Sequence, residues 1–168
     1  YYEMEFSPTN VLWDLFLRQP YKDGGGNIAS ADHTWNVKGI RHAVFVDGTL
    51  NYPYDTDRSW SLEVAVPWSE LAPYAHKSSP PQHGDVWRVN FSRVEWIHEV
   101  TTSDRTTPDI SNNAYRLKPE TTCDNWVWSP HGIINMHTPE MFGYVQFSTA
   151  KPGSDTYLAD PTQEARRI

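Results

Sequence analysis

Residues 59–66 read Ser59-Trp60-Ser61-Leu62-Glu63-Val64-Ala65-Val66, an unbroken alternation of small or charged side chains with large apolar ones. Successive side chains of a β-strand point to opposite faces of the sheet, so this pattern predicts a strand with one buried face. The predicted core side takes Trp60, Leu62, Val64 and Val66. Pro67 ends the strand because it lacks a backbone N–H, and a single helical turn is expected at residues 68–71.

The same period of two recurs on both sides of this segment. Residues 85–96 predict one long strand, with Trp87, Val89 and Phe91 on its core side and Arg88, Asn90 and Ser92 on the other. Residues 1–6 alternate as well, and Glu3 and Glu5 share the face opposite Tyr2, Met4 and Phe6. If the two strands are neighbours on a concave face, their polar residues line a groove; on a convex face, they are merely solvated.

Further strands are predicted at residues 34–37, 39–47 and 143–148, while residues 11–17 form a short apolar run and residues 97–124 are polar and irregular. By periodicity Trp13, Trp60 and Trp87 are core residues, whereas Trp35, Trp68 and Trp96 fit core or surface. Neither helical periodicity nor an internal repeat is present. Short strands at this spacing predict an all-β fold, an antiparallel β-sandwich or jelly roll.

Composition excludes several classes of function. The 168 residues include 8 Trp and 9 Tyr, and 14 Lys and Arg against 21 Asp and Glu give a net charge of −7. This balance argues against nucleic acid or anionic membranes as partners. No apolar run approaches the ~18 residues of a membrane-spanning helix. The single cysteine, Cys123, excludes an internal disulfide.

Four segments together resemble a known family. They are Trp60 to Trp68 (WSLEVAVPW), Gly84 to Trp96 (GDVWRVNFSRVEW), Asn125 to Pro130 (NWVWSP) and Met136 to Gly143 (MHTPEMFG). In this order they are similar to the family 9 carbohydrate-binding modules. The resemblance implies a β-sandwich of the DOMON-like superfamily, sugar binding without catalysis and often a structural calcium ion. It also implies secretion or attachment to a glycan-active enzyme, hence an extracellular, cell-surface or periplasmic location.

The family pattern also places strands before Tyr1. We therefore expect a module at residues 1–148 that lacks its N-terminal strands and is completed by more of the same chain or by another chain. Residues 149–168 lose the apolar periodicity. Asp160-Pro161, with Glu164 in the first turn, is typical of a helix start, so this segment is interpreted as a tail or the beginning of a C-terminal helix.

The resemblance carries over to the site only in part. The strand matching residues 1–6 offers Arg and Asn to sugar hydroxyls in the family, and Glu3 and Glu5 stand at those positions here. A second clamping Trp of the family falls on Met136, beside His137. Trp126 and Trp128 are two apart, so in an extended segment their rings lie on one side and provide a stacking surface for a sugar. The expected ligand-binding set is Trp126, Trp128, Asn125, Glu3, Glu5, Arg88, Asn90, Met136 and His137.

Calcium binds clustered oxygen ligands, and the densest acidic loop carries Asp47, Asp55 and Asp57 around Asn51. Asp104 and Asp109 form a second candidate. Aspartates in loops also simply form turns. His131 and His137, six residues apart, are weak evidence for zinc.

Three other functions compete with sugar binding. Some DOMON-like relatives hold haem through Met and His, but adjacent Met136 and His137 point to opposite faces of a regular strand. A scaffold without a retained sugar site is the second. A hydrolase using two of Glu3, Glu5, Glu63 and Glu95 is the third, but no Gly-x-Ser-x-Gly, His-Glu-x-x-His or phosphate-loop motif supports an enzyme.

Overall fold

The computed structural model describes residues 1–26, 30–100, 115–119 and 123–151. Its strands are β1 (Tyr2–Phe6), β2 (Leu12–Leu17), β3 (Ala31–Asp32), β4 (Arg41–Asp47), β5 (Ser59–Ala65), β6 (Val86–Val89), β7 (Ser92–Glu95), β8 (His98–Val100), β9 (Tyr115–Leu117), β10 (Asp124–Val127) and β11 (Gly143–Gln146). The helix α1 (Trp68–Leu71) is one turn long, as predicted, and 3₁₀ turns lie at Tyr21–Asp23, Ala72–Tyr74 and Pro139–Met141.

The fold is all-β, which confirms the predicted class. All strand pairs in the described part of the chain are antiparallel: β1, β2 and β3 form one sheet, and β4–β5, β6–β11, β7–β10 and β8–β9 form two-stranded ribbons. The sandwich arrangement of these sheets stays a prediction. Within the described ranges, no helix has the length and apolar character needed to cross a membrane.

The core is centred on β2, the middle strand of its sheet. Leu15 and Leu17 are almost fully buried and pack with Ala31 on one face, where Tyr1 joins them. Phe16 is buried on the other face and stacks on Tyr74, with ring centroids 4.0 Å apart. Burial on both faces explains why Leu15, Phe16 and Leu17 are apolar without alternation.

The β4–β5 hairpin shows the predicted alternation. Trp60 pairs with Val46 and Leu62 with Val44, and these four side chains lie on the less exposed face. Val64 shares that face but is 40% exposed, so its prediction as a core residue is wrong. At one end of the hairpin the ring of His42 contacts that of Phe6, and its Nδ1 lies 2.7 Å from the side-chain oxygen of Asn10.

The single strand predicted at residues 85–96 is wrong, because the chain changes partner at residues 90–91. β6 pairs with β11, whereas β7 pairs with β10. The Oδ1 atom of Asn90 accepts hydrogen bonds from the backbone N–H groups of Phe91 and Ser129. These bonds replace the strand ladder at the break, and Phe91, expected in the core, is 65% exposed.

Other predictions also fail. Residues 34–37 form no strand, because Asp32 Oδ1 accepts from the N–H groups of Thr34 and Trp35 and folds the chain into a turn. Trp13 is 47% exposed rather than buried, since it lies beyond the covered end of its strand face. β8 and β9 fall inside residues 97–124, so the prediction that this stretch is irregular fails at these strands. The helix start at Asp160 lies outside the described residues.

Candidate functional site

Three exposed aromatic side chains lie on one face of the β7–β10 ribbon. Trp126 is directly opposite Arg93, and the N–H of Trp128 donates to the carbonyl of Phe91 at 2.8 Å, which extends the same register by one pair. Residues opposite each other in an antiparallel pair project to the same side. Phe91, Trp126 and Trp128, the aromatic surface, are 65%, 63% and 54% exposed.

The rings of this surface are held by their neighbours. Phe91 meets Trp128 edge to face at 5.8 Å between centroids, a favourable aromatic geometry. Trp128 lies over Gly143 of β11, where an added Cβ would be 2.6 Å from Cζ3. Polar groups flank Trp126, because Arg93 pairs with Glu95 at 3.1 Å in the adjacent strand. The ribbon thus offers flat apolar rings with hydrogen-bonding groups at their rim.

Asn125, expected to bind ligand, lies on the opposite face of the ribbon. It pairs with Val94, and its Nδ2 donates to the carbonyl of Cys123 at 3.1 Å. Ser92 is also on that face, opposite Val127. The Asn90 amide lies beneath the aromatic surface and is engaged by Phe91, Ser129 and His131. It therefore supports the surface from below.

A second group of predicted residues meets on β1. Glu3 Oε2 lies 3.1 Å from His137 Nδ1, and the Tyr1 hydroxyl lies 3.0 Å from the same nitrogen. The ring of Tyr21 stacks on His137 at 3.5 Å with an interplanar angle of 3°. We call Tyr1, Glu3, Glu5, Tyr21 and His137 the acidic cluster. The structure brings three separate predicted residues, Glu3, Glu5 and His137, into this one patch.

The charges of the acidic cluster perturb one another. Burial raises the pKa of the Glu5 carboxyl first, the charge of Glu3 and a hydrogen bond with it raise the pKa further, and His137 acts in the opposite direction. Burial and then Glu3 and Glu5 also raise the pKa of the Tyr21 phenol. A cation or a hydroxyl donor would therefore be favoured here over an anion.

Trp13 lies at the border of this patch, directly opposite Glu5 in the β1–β2 register. Its ring is 6.1 Å from that of His33. Sequence reasoning placed Trp13 in the core and did not single out Tyr21. The alternation of Tyr1, Glu3 and Glu5 with apolar residues could have located the polar face, but Tyr21 reaches it from a 3₁₀ turn that carries no such pattern.

Arg88 is linked to the acidic cluster through residues 137–142. Its guanidinium donates to the carbonyl of Glu140 and lies over the ring of Tyr144, 4.6 Å from the centroid. The Glu140 carboxylate forms an ion pair with Lys22, next to Tyr21. Among the described contacts, none joins Arg88 directly to Glu3 or Glu5. The polar faces of β1 and β6 are therefore neighbours separated by one strip of chain.

The candidate calcium loop is held by its own side chains. Thr49 donates from its N–H to Asp57 at 2.7 Å and from its hydroxyl to Asp55 at 2.9 Å. Asp47 forms an ion pair with Arg58 at 2.7 Å. No group of three or more His, Cys, Asp or Glu side chains with metal-binding geometry occurs within the described ranges. Calcium stays a prediction, and Asp104 and Asp109 lie outside the described residues.

Met136, His131 and His137 are the candidate ligands of haem or zinc. Met136 is half-buried, and His137 is engaged by Tyr1, Glu3 and Tyr21. His131 is buried and bonds to Asn90, Asn135 and Thr138 rather than facing His137. A haem iron or a zinc ion bound by His131 or His137 would therefore have to displace existing contacts of that imidazole.

Comparison of the chain with models of known protein families, with curated proteins and with solved structures gives no match in any of the three.

Proposed function

We propose that this protein binds an oligo- or polysaccharide without catalysis, through the aromatic surface on the β7–β10 ribbon. One observation carries the proposal: Trp126 and Trp128 are both more than half exposed on the same strand face, beside the equally exposed Phe91. Large exposed aromatic groups are costly in water and mark binding surfaces. Sugars present apolar C–H faces to which flat rings are suited.

The spacing favours an extended ligand. Residues two apart on a strand are about 7 Å apart, so the indoles of Trp126 and Trp128 follow each other along the strand axis. An oligosaccharide contacts both rings, whereas a single sugar covers one. Arg93 and Glu95 at the rim supply a donor and an acceptor for hydroxyl groups.

The proposal includes the setting of the module. We place it outside the cell, at the cell surface or in the periplasm, within a larger secreted protein with additional strands or domains. The additional strands draw support from the edge of the β1–β2–β3 sheet: in the described part of the chain, β1 pairs with β2 alone. An uncovered strand edge is a site at which a further strand can pair.

The competing proposal is a structural scaffold without a sugar site. It draws support from Arg88 and Asn90, whose polar groups are used within the fold by Glu140, Ser129 and His131. A glycan array with the intact protein separates the two functions. Concentration-dependent binding to one class of glycan is expected, and an array without binding to any glycan would leave the scaffold.

A further inference from the structure

We propose that Asn90 and His131 form a proton-sensitive clamp that positions Phe91 and Trp128, so that protonation of His131 releases the aromatic surface. The consequence for ligand binding rests on the proposed function, whereas the clamp itself rests on hydrogen bonds alone. Asn90 stands between β6 and β7, and His131 follows β10, so the pair joins the two strands that carry the surface.

The orientation of the Asn90 amide is fixed by the backbone. Its Oδ1 lies 3.0 Å from the N–H of Phe91 and 2.9 Å from that of Ser129. Both partners are donors, so the oxygen must face them and the NH₂ group must face the other way. There the NH₂ donates to the carbonyl of Ser129 at 3.3 Å and to His131 Nε2. All four hydrogen-bonding positions of the amide are filled.

The proton of His131 is fixed in the same manner. His131 Nδ1 lies 2.7 Å from the carbonyl of Asn135, which can only accept, so Nδ1 carries the hydrogen. The hydroxyl of Thr138 lies 2.9 Å from the same nitrogen. Nε2 is then unprotonated and accepts from Asn90, as the neutral imidazole requires.

A second proton on the imidazole breaks this arrangement. Nε2 becomes a donor and faces the NH₂ group of Asn90, two donors in contact at a residue that is only 6% exposed. Rotating the amide satisfies Nε2 but turns NH₂ toward the N–H groups of Phe91 and Ser129. No orientation satisfies all partners, and an unsatisfied buried donor is costly.

Within the described part of the chain, the direct contacts of His131 supply no compensating charge. The groups in contact with His131 are Asn90, Asn135 and Thr138 and the stacked ring of Phe142 at 5.8 Å. All are uncharged. Two members of the acidic cluster reach these contact residues: the N–H of His137 donates to the Asn135 side chain at 2.8 Å, and the ring of Tyr1 meets that of Phe142 at 5.9 Å.

Loss of the clamp reaches the ligand surface directly. Asn90 holds Ser129, and Ser129 is adjacent to Trp128, whose N–H bonds to Phe91. We therefore expect the form with a second proton on His131 to bind glycan about tenfold more weakly than the neutral form.

The test is an NMR pH titration of the full chain with and without a glycan identified on the array. The ¹⁵N shifts of the His131 ring are expected to give the Nδ1–H form at high pH. The Phe91 and Ser129 amides and the Trp128 indole N–H are expected to shift with the same midpoint as His131. An Nε2–H form, or a Trp128 signal that ignores the titration of His131, would overturn the clamp even if no glycan binds.

Two variants sharpen the test. Asn90→Asp keeps the acceptors for Phe91 and Ser129 and offers a carboxylate to protonated His131, so affinity is expected to hold or rise in acid. His83→Gln alters an exposed histidine outside the aromatic surface and the acidic cluster, where the ring bonds to Thr149, and is expected to keep the wild-type profile. An Asn90→Asp profile identical to that of the wild type, or loss of the acid effect in His83→Gln, would contradict the proposal. If none of these proteins binds glycan, the clamp is tested by whether the chemical shifts of Trp128 change with pH together with those of His131.

Discussion

The indole of Trp128 lies against the backbone of Gly143, so closely that a Cβ on that glycine would be 2.6 Å from Cζ3 and 3.1 Å from Cη2. Gly143 is the first residue of β11 and pairs with Val89 of β6. Trp128 follows β10, so its ring rests on a ribbon other than its own. Trp128 is still 54% exposed. The absence of a side chain at residue 143 thus sets how this ring is presented.

Gly143→Ala is expected to push the ring of Trp128 out of place, because the added methyl group overlaps Cζ3. A side chain can rotate more readily than the paired backbone of β11 can shift. We expect glycan affinity to fall roughly 3- to 10-fold, the range of one aromatic contact, with a changed tryptophan emission spectrum. Isothermal titration and fluorescence measure both effects.

The control for this prediction is a double-mutant cycle. In a Trp128→Ala background the alanine at residue 143 meets no indole, so Gly143→Ala is expected to change affinity little further. An equal loss in both backgrounds would mean that the glycine acts through β11 rather than through the ring.

Glu5→Gln is expected to stabilise the fold near neutral pH. Burial and the Glu3 charge raise the pKa of Glu5 in the folded state. A carboxyl with a raised folded pKa binds more protons folded than unfolded, so its ionisation costs stability as pH rises past the ordinary glutamate range. Because the Glu5 side chain is only partly buried and much of it stays in contact with water, we expect only the lower part of the ~0.2 to 1 kcal/mol typical of surface charge pairs.

The measurement is urea unfolding at about pH 7 and about pH 3.5, on either side of the usual glutamate pKa. The gain in unfolding free energy from Glu5→Gln should be present at the higher pH and vanish at the lower one. Glu63→Gln, at an exposed position of β5, is the matched control and should show no comparable pattern. Stabilisation by Glu5→Gln that is equal at both pH values would refute the charge interpretation.

Leu17→Ala is expected to destabilise the fold by about 2 to 5 kcal/mol, the usual cost of a cavity in a packed core. Leu17 is 0% exposed and packs with Leu15 and Ala31 at the centre of the β2 core. Leu50→Ala removes the same atoms at a position that is 47% exposed, so its effect should stay below about 1 kcal/mol. If chemical denaturation gave similar losses of unfolding free energy for Leu17→Ala and Leu50→Ala, β2 would not be the principal core strand.

The sequence predicts a strand well where one face of that strand is less exposed than the other. The alternation in residues 59–66 predicts β5 and its orientation, since Trp60 and Leu62 lie on the less exposed face of that strand. It fails at residues 85–96, because a strand that changes partner keeps its period while its environment changes. Nothing in the alternation of Val89, Asn90 and Phe91 indicates that the Asn90 amide ends one ladder and begins another.

The sequence predicts individual residues of the site but not all of the residues that lie together. A two-residue spacing predicts that Trp126 and Trp128 share a face, and the structure puts them there. It does not predict Phe91 as their neighbour, because that contact depends on the β7–β10 register. Asn125 was misplaced for a different reason: it is adjacent to Trp126 in sequence, and adjacent residues of a strand point to opposite faces.

The central claim is that the aromatic surface binds glycan, and the most direct test is calorimetric titration of wild type and Trp126→Ala/Trp128→Ala with an oligosaccharide selected on the array. Removing both rings is expected to lower affinity more than about tenfold, while far-ultraviolet circular dichroism stays unchanged. Trp96→Ala, which removes an indole 51% exposed outside the aromatic surface, should leave affinity as in the wild type. Wild-type affinity in the folded double variant would contradict the account.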